Sequence, residues 1–274
     1  MDRAAQIKKA EAFQAMHRGP GILVLPNAWD VISAHLMVRA GFGAIATTSG
    51  GCAHSLGYPD GEYIGAEEMT AAVGRIAQTV AVPVSADMEA CYATAPEDVA
   101  RVVGAVIDAG AVGINIEDAN RESGLFDRAL AIERIQAAVE AVEASGVPAL
   151  INARTDCFHI PEPAAAFDEG VVRLNAYLEA GAGCAFAIFV RDGDTIARLA
   201  KAVDGPLNIL PGPDSPTVAE LAAMGVRRVT VGGAIARAAL SAAERAVEEL
   251  RDAGTYEFAR GILAQPAMNK LLGG

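Results

Sequence analysis

Eight times along the chain a short apolar run gives way to polar residues and then to a segment of helical period. That alternation limits the fold more than any other feature, because strands alternating with helices build a parallel sheet covered by helices. The runs are "GILVLPN" (21–27), "GAIATTSGG" (43–51), "VPVSADME" (82–89), "AVGINIED" (111–118), "VPALINARTD" (147–156), "CAFAIFV" (184–190), "PLNILPG" (206–212) and "RRVTVGG" (227–233). Helices are predicted between them, over roughly 28–40, 66–80, 95–109, 129–145, 164–180, 193–203, 216–224 and 234–252. Gly41, Gly110, Gly146, Gly181, Gly225 and Gly254 stand where a helix can end in a left-handed residue. Thr94 and Glu97, with Pro96 between them, predict a capping box at the third of these helices. The runs lack strict alternation, as expected of strands covered on both faces.

The expected fold is therefore α/β, a (β/α)8 TIM-type barrel forming a single domain over residues 1–274. An extra N-terminal helix over 3–18 would close the lower end, and residues from about 255 to 274 would form a C-terminal helical extension. A doubly wound open sheet is the alternative, but no G-x-G-x-x-G follows the first strand.

Charge narrows the partners. The chain has 274 residues, a net charge of −12 and no Lys/Arg-rich run, which argues against nucleic acid and against an anionic membrane surface. No apolar stretch reaches transmembrane length and the N-terminus has no apolar signal core, so the expected compartment is cytoplasmic. Cys52, Cys91, Cys157 and Cys184 show no zinc-type spacing and read as small buried hydrophobes in a reducing environment.

In such a barrel the reacting groups sit at the carboxyl ends of the strands. Those ends carry Asn27, Trp29 and Asp30, then Thr48 with Ser49-Gly50-Gly51, then Asp87 and Glu89. Glu117 and Asp118 follow, then Arg154 and Asp156, Arg191 and Asp192, Asn208, and Gly232-Gly233. Asp87, Glu89, Glu117 and Asp60, the last in the long loop after the second strand, could form an oxygen-rich site. Oxygen ligands without His or Cys suit Mg2+, or Mn2+. Each acid taken alone is equally a helix cap or first-turn residue. Ser49-Gly50-Gly51 reads as a turn whose N–H groups can face a carboxylate or oxyanion. Arg154 either forks a substrate carboxylate or pairs with Glu117 or Asp156. Trp29, the only Trp, is a packing wedge or a substrate contact. The loop "SLGYPDGEYI" is long enough to be a lid.

The pieces "LPNAWD", "TTSGG", "SLGYPDGE", "SADMEACY", "NIEDAN", "INARTD", "LNIL" and "RRVTVGGAIARAA", in this order over roughly residues 20–240, resemble the isocitrate lyase/phosphoenolpyruvate mutase superfamily. That superfamily includes 2-methylisocitrate lyases, oxaloacetate decarboxylases and phosphonopyruvate hydrolases. The resemblance implies a Mg2+-dependent barrel acting on α-keto or α-hydroxy acids through enolate-like intermediates. It implies Asp87 as a direct metal ligand, with Glu89, Asp60 and Glu117 acting through water. It implies catalytic roles for Asp60, Glu117 and Arg154. Ser49, Gly50, Gly51, Trp29, Arg154 and, more weakly, Asn208 would contact substrate, with Asp87 bridging to it. It also implies a homotetramer that exchanges C-terminal helices.

The chain departs from that pattern at three places. The loop "EDANRESGLFDRAL" has neither the Cys nor the His of the lyases' mobile loop. Val190-Arg191 stands where the lyases carry a Glu, and Cys91 replaces a common Gly. The resulting expectation is a Mg2+-dependent carbon–carbon lyase or decarboxylase on a small di- or tricarboxylic keto or hydroxy acid, such as a pyruvate-, oxaloacetate- or 2-oxoglutarate-like molecule. The alternatives are a P–C bond enzyme of the phosphonopyruvate type and a barrel that binds keto acids without turnover. The mouth shows little extra positive charge for a phosphonate in this reading.

Overall fold

The computed structural model describes residues 2–159 and 161–273. In chain order its strands are β1 (Leu23–Leu25), β2 (Asn27–Ala28), β3 (Ile45–Thr47), β4 (Val84–Asp87) and β5 (Gly113–Glu117). There follow β6 (Ala119–Asn120), β7 (Gly124–Leu125), β8 (Leu150–Thr155), β9 (Cys184–Ala187), β10 (Leu207–Ile209) and β11 (Arg228–Thr230). The α-helices are α1 (Arg3–Arg18), α2 (Val31–Arg39), α3 (Ser49–Ser55), α4 (Ala66–Thr79), α5 (Pro96–Ala109) and α6 (Arg128–Ser145). The chain continues with α7 (Pro163–Glu179), α8 (Gly193–Ala202), α9 (Val218–Met224), α10 (Ala234–Asp252) and α11 (Gln265–Leu271).

The main sheet is parallel throughout and runs β1-β11-β10-β9-β8-β5-β4-β3-β2. Only Pro26 separates its two edge strands, so the sheet closes on itself and the first stave is split in two. Proline has no N–H to donate to a ladder. Asn27 bridges the joint instead: its Nδ2 donates to Thr47 O (2.7 Å) on one side. Its Oδ1 accepts from Val231 N (2.8 Å) and Gly232 N (3.0 Å) on the other. The remaining pair, β6 with β7, is a small antiparallel ribbon in the loop after β5.

Helices cover the outside through apolar stripes. Val73 and Ile76 of α4, Val99, Val103 and Val106 of α5, and Ile135 and Ala138 of α6 are all buried. The predicted helix ends hold, since Gly41, Gly110, Gly146, Gly181, Gly225 and Gly254 all have positive φ. The predicted Thr94–Glu97 box does not form: α5 is capped by Ala95 without a side-chain bond. Pro96 already supplies a first-turn residue that needs no N–H acceptor. Capping boxes occur instead at Asp30–Ser33 and Thr217–Glu220.

Helix α1 plugs the lower end. Its Gln6 donates to Ile107 O and Ala111 O, Gln14 to Pro148 O, and Lys9 to Val80 O, all on segments leading into strands or ending helices. Phe13 and His17 are buried beneath the barrel. The other terminus differs. Of the residues of α10 only Ala236 is buried, while Leu240, Val247 and Leu250 are exposed. Tyr256, Phe258, Ile262 and Leu263 continue this apolar surface. In the single chain α11 rests on α2. No described helix is long and apolar enough to cross a membrane.

Candidate active site

A cavity of about 250 Å3 opens at the carboxyl ends of the strands. That volume suits a small molecule rather than a drug-sized one. Asn27, Ser49, Asp60, Asp87, Asn115, Asn152, Arg154 and Asn208 line it, together with Arg191, Arg228 and Arg237.

Asp87 is its best-organised group. Its Oδ2 accepts from Ser49 N and Ser49 Oγ, both at 2.9 Å, and its Oδ1 accepts from Asn115 Nδ2 at 2.9 Å. Asn115 Oδ1 in turn accepts from Asn152 Nδ2 at 2.8 Å. The register explains this row, since Asp87 lies opposite Asn115 and Asn115 opposite Asn152 on β4, β5 and β8. Each donor to Asp87 is neutral, so its negative charge is oriented but not cancelled.

Asp60 reaches the same place from the loop after α3. Ser49 Oγ lies 3.4 Å from its Oδ1. A Cβ on Gly50 would stand 2.7 Å from Asp60 Oδ2, so the bare backbone is what admits the carboxylate. Ser49, Gly50 and Gly51 are not a free turn but the first residues of α3, capped by Thr48. Of the three only Ser49 lines the cavity. Gly51 faces Thr48 and Trp29, where an added Cβ would come within 2.7 Å of each.

Four acids were expected to share one cation. Among the described residues no group of three or more acids, His or Cys gathers to enclose a metal. Glu117 is drawn away by Arg154, whose Nη1 lies 2.5 Å from its Oε1. Burial pushes the Glu117 carboxyl up, and the guanidinium opposes that. Glu89 is buried beside Tyr92, whose hydroxyl donates to Glu89 Oε1 at 3.1 Å. Burial, and then repulsion from Asp87, Asp60 and Glu62, raise Glu89 to about 8. Asp60 and Asp87 therefore remain as the pair facing the cavity. Such a pair fits a hydrated Mg2+, which takes one or two carboxylates and keeps the rest of its shell as water or substrate oxygens.

Arg154 takes the pairing alternative, and with both acids. Its Nε and Nη2 donate to the Asp156 oxygens at 3.0 and 2.7 Å, while Nη1 holds Glu117. Burial works against its charge, but the two carboxylates outweigh it and raise the guanidinium above its ordinary value. A guanidinium has five N–H bonds, so two remain for the cavity that Arg154 lines. Trp29 does not join this group. It lines a separate apolar pocket with Ile32, Leu56, Ile76 and Leu272.

Sequence reasoning missed several residues here. Asn115 and Asn152 sit inside apolar runs, and an amide within such a run was the available signal. Arg228 and Arg237 were not singled out, and Arg191 was noted only as a strand-end residue. All three line the cavity, and among the described residues none forms an ion pair with a carboxylate. The mouth is thus more positive than expected, in a chain of net charge −12. A cavity opposite in sign to its protein concentrates anions.

Two departures also gain a physical account. Cys91 has φ 59° and is fully buried, a left-handed residue where glycine would be unstrained. Burial pushes its thiol up to about 12, which leaves it a packing residue at neutral pH. The loop after β5 closes through the β6–β7 ribbon, with Asn120 Oδ1 accepting from Glu122 N and Ser123 N.

Known proteins share this architecture. The model of a family described as phosphoenolpyruvate phosphomutase matches residues 13–251. The 2-methylisocitrate lyase of Escherichia coli (strain K12) is 30% identical over 260 residues, which cover 90% of this chain and 86% of that one. A crystal structure from Burkholderia cenocepacia J2315 matches with a TM-score of 0.92 at 38% identity and covers 98% of each chain. A phosphonopyruvate hydrolase solved with oxalate and Mg++ matches with a TM-score of 0.86 at 25% identity, over 97% of this chain and 95% of that one. The matches run through the barrel from α1 to α10, and the chain belongs to the phosphoenolpyruvate phosphomutase family.

Proposed function

We propose that the protein is a Mg2+-dependent lyase or decarboxylase that breaks a carbon–carbon bond in a small α-keto or α-hydroxy di- or tricarboxylic acid. The observation that carries this reading is the meeting of Asp60 and Asp87 at Ser49, on the wall of a small cavity otherwise rich in arginine. Asp87 and Asp60 hold the cation, with Glu89 and Glu117 beyond them. Bound there, Mg2+ would act as a Lewis acid toward charge developing on a keto oxygen.

The chain's own residues do the rest. Ser49 orients Asp87, and Asn115 and Asn152 lock the carboxylate from the other side. Arg154 offers its two spare N–H bonds to a substrate carboxylate, with Asn208 beside it on the wall. Arg237 and Arg191 receive a second acid group farther out. The loop after β5 has no Cys or His, so an enolate product takes its proton from water. Oxaloacetate decarboxylation requires no more than that. The test is turnover of oxaloacetate and 2-methylisocitrate with and without Mg2+. A folded protein that processes no dicarboxylic keto or hydroxy acid under any Mg2+ concentration would sink this proposal.

One observation favours a second reading. Arg191 and Arg237 carry no carboxylate partner among the described residues, and a phosphonate needs such charge. Phosphate released from phosphonopyruvate would select P–C chemistry instead.

A homotetramer with exchanged C-terminal helices is supported by the exposed apolar face of α10 and the tail that follows it. Four free, buried cysteines support a reducing, cytoplasmic setting.

A further inference from the structure

Arg228 is the buried group that the proposed chemistry leaves unused. It projects from β11 into the barrel and is 1% exposed. Its Nη2 donates to Ser85 Oγ at 3.1 Å, and its Nη1 lies 3.5 Å from His17 Nε2. Its Nε has no partner. His17 Nδ1 sits 2.9 Å from Phe13 O, which leaves Nε2 as the acceptor toward Arg228 and keeps the ring neutral. No carboxylate pairs with the guanidinium among the described residues. Burial pulls it down to about 10, with Asp87 opposing, so it remains charged at neutral pH.

An unpaired buried cation is costly to retain. Besides the Phe13 ring, whose centroid is 5.9 Å from its guanidinium carbon, what faces it is the cavity, whose floor it helps to line. Ser85, which it grips, lies two residues before Asp87 on β4, and side chains two apart on a strand share a face. The cation is thereby fixed beneath the Asp87 carboxylate.

We propose that Arg228 is a positioning residue that sets the charge of the cavity floor, weakening the hold of Asp60 and Asp87 on a bare divalent cation and favouring a carboxylate ligand bound over it. Metal and anion then bind cooperatively, because each offsets the charge that opposes the other. This inference rests on the reading of Asp60 and Asp87 as the cation site.

The test is calorimetry with Mg2+ alone, and with oxalate added to the Mg2+-loaded protein. Arg228→Gln keeps a hydrogen-bonding side chain and loses the charge. It should bind Mg2+ about three- to tenfold more tightly and oxalate more weakly by a similar factor. Arg228→Lys should keep wild-type values. A merely structural arginine predicts the opposite sign for Mg2+, because a loosened site binds metal less well. If Arg228→Gln does not fold, Ser85→Asp hands the guanidinium a carboxylate and should also tighten Mg2+. A folded Arg228→Gln or Ser85→Asp with unchanged or weaker Mg2+ binding overturns the proposal. Asp87→Asn separates the two readings. If wild type binds no Mg2+, or Asp87→Asn binds it equally, the cation site fails and this inference with it. If Asp87 is required but the charge of Arg228 is indifferent, this inference alone fails.

Discussion

Asp87 ends β4 and Asp118 directly follows the neighbouring strand β5, yet their surroundings are opposite. Asp118 accepts from Tyr177 OH at 2.7 Å, Asp156 N at 2.9 Å and Arg173 Nη1 at 3.2 Å, and it is 3% exposed. Its charge is matched inside the protein. Asp87 accepts only from neutral donors and faces the cavity. The difference teaches where this fold spends an acid on itself and where it holds one in reserve for a ligand.

The largest effect should come from exchanging each acid for its amide. Asp87→Asn should abolish Mg2+-dependent turnover with little change in the urea midpoint. Asp118→Asn should do the reverse, costing about 2 kcal/mol because Arg173 loses one of its two carboxylates and keeps only Glu169. Urea titration and activity per folded molecule, measured on both variants, would break the comparison if the two effects came out alike.

His17 extends the contrast to a group that is buried and uncharged. Burial, then Arg228, lowers its pKa from 6.5 to about 4. Between these values the unfolded chain binds a proton that the folded chain refuses. Stability is therefore full above pH 6.5 and falls as pH drops toward 4, by about 3 kcal/mol in all from this group. His17→Gln should flatten that part of the profile in melts run across the same pH range.

Smaller effects sharpen the Asp87 side. Asn115→Ala removes a donor to Asp87 and frees Asn152, and should lower Mg2+ affinity or activity by about tenfold to a hundredfold. Gly50→Ala should displace Asp60 and weaken Mg2+ severalfold, as read by calorimetry, with an unchanged melting temperature. Unaltered Mg2+ binding in Gly50→Ala would remove Asp60 from the site.

Much of this was legible in the sequence. Eight apolar runs became eight staves, since helical period and glycine stops are local signals that a closed barrel does not override. Asp87, Ser49 and Arg154 could be placed at the mouth because strand ends are easy to locate, and Asp60 through the long loop after the second strand. What the sequence hid depends on register between strands. Whether Asn115 meets Asp87 or Arg228 meets Ser85 is decided by the stagger of neighbouring staves, which no single strand records. Trp29 stood near the right strand end, but the turn into α2 aims it at an outer pocket. Arg237 lies inside a helix, beyond the strand ends where site residues were sought.

The split stave has a consequence for how the molecule opens. At the joint the amides of Val231 and Gly232 are held by one side chain, Asn27, rather than by a strand ladder. Beyond the end of the β1–β11 ladder this one latch holds the rim, and it lies next to the helix that carries Arg237. Transient release of that latch would loosen the rim before any other part of the wall. These two amides should then lose hydrogen-exchange protection earlier than those of β4, β5 and β8, and the doorway of the cavity would coincide with the seam of the barrel.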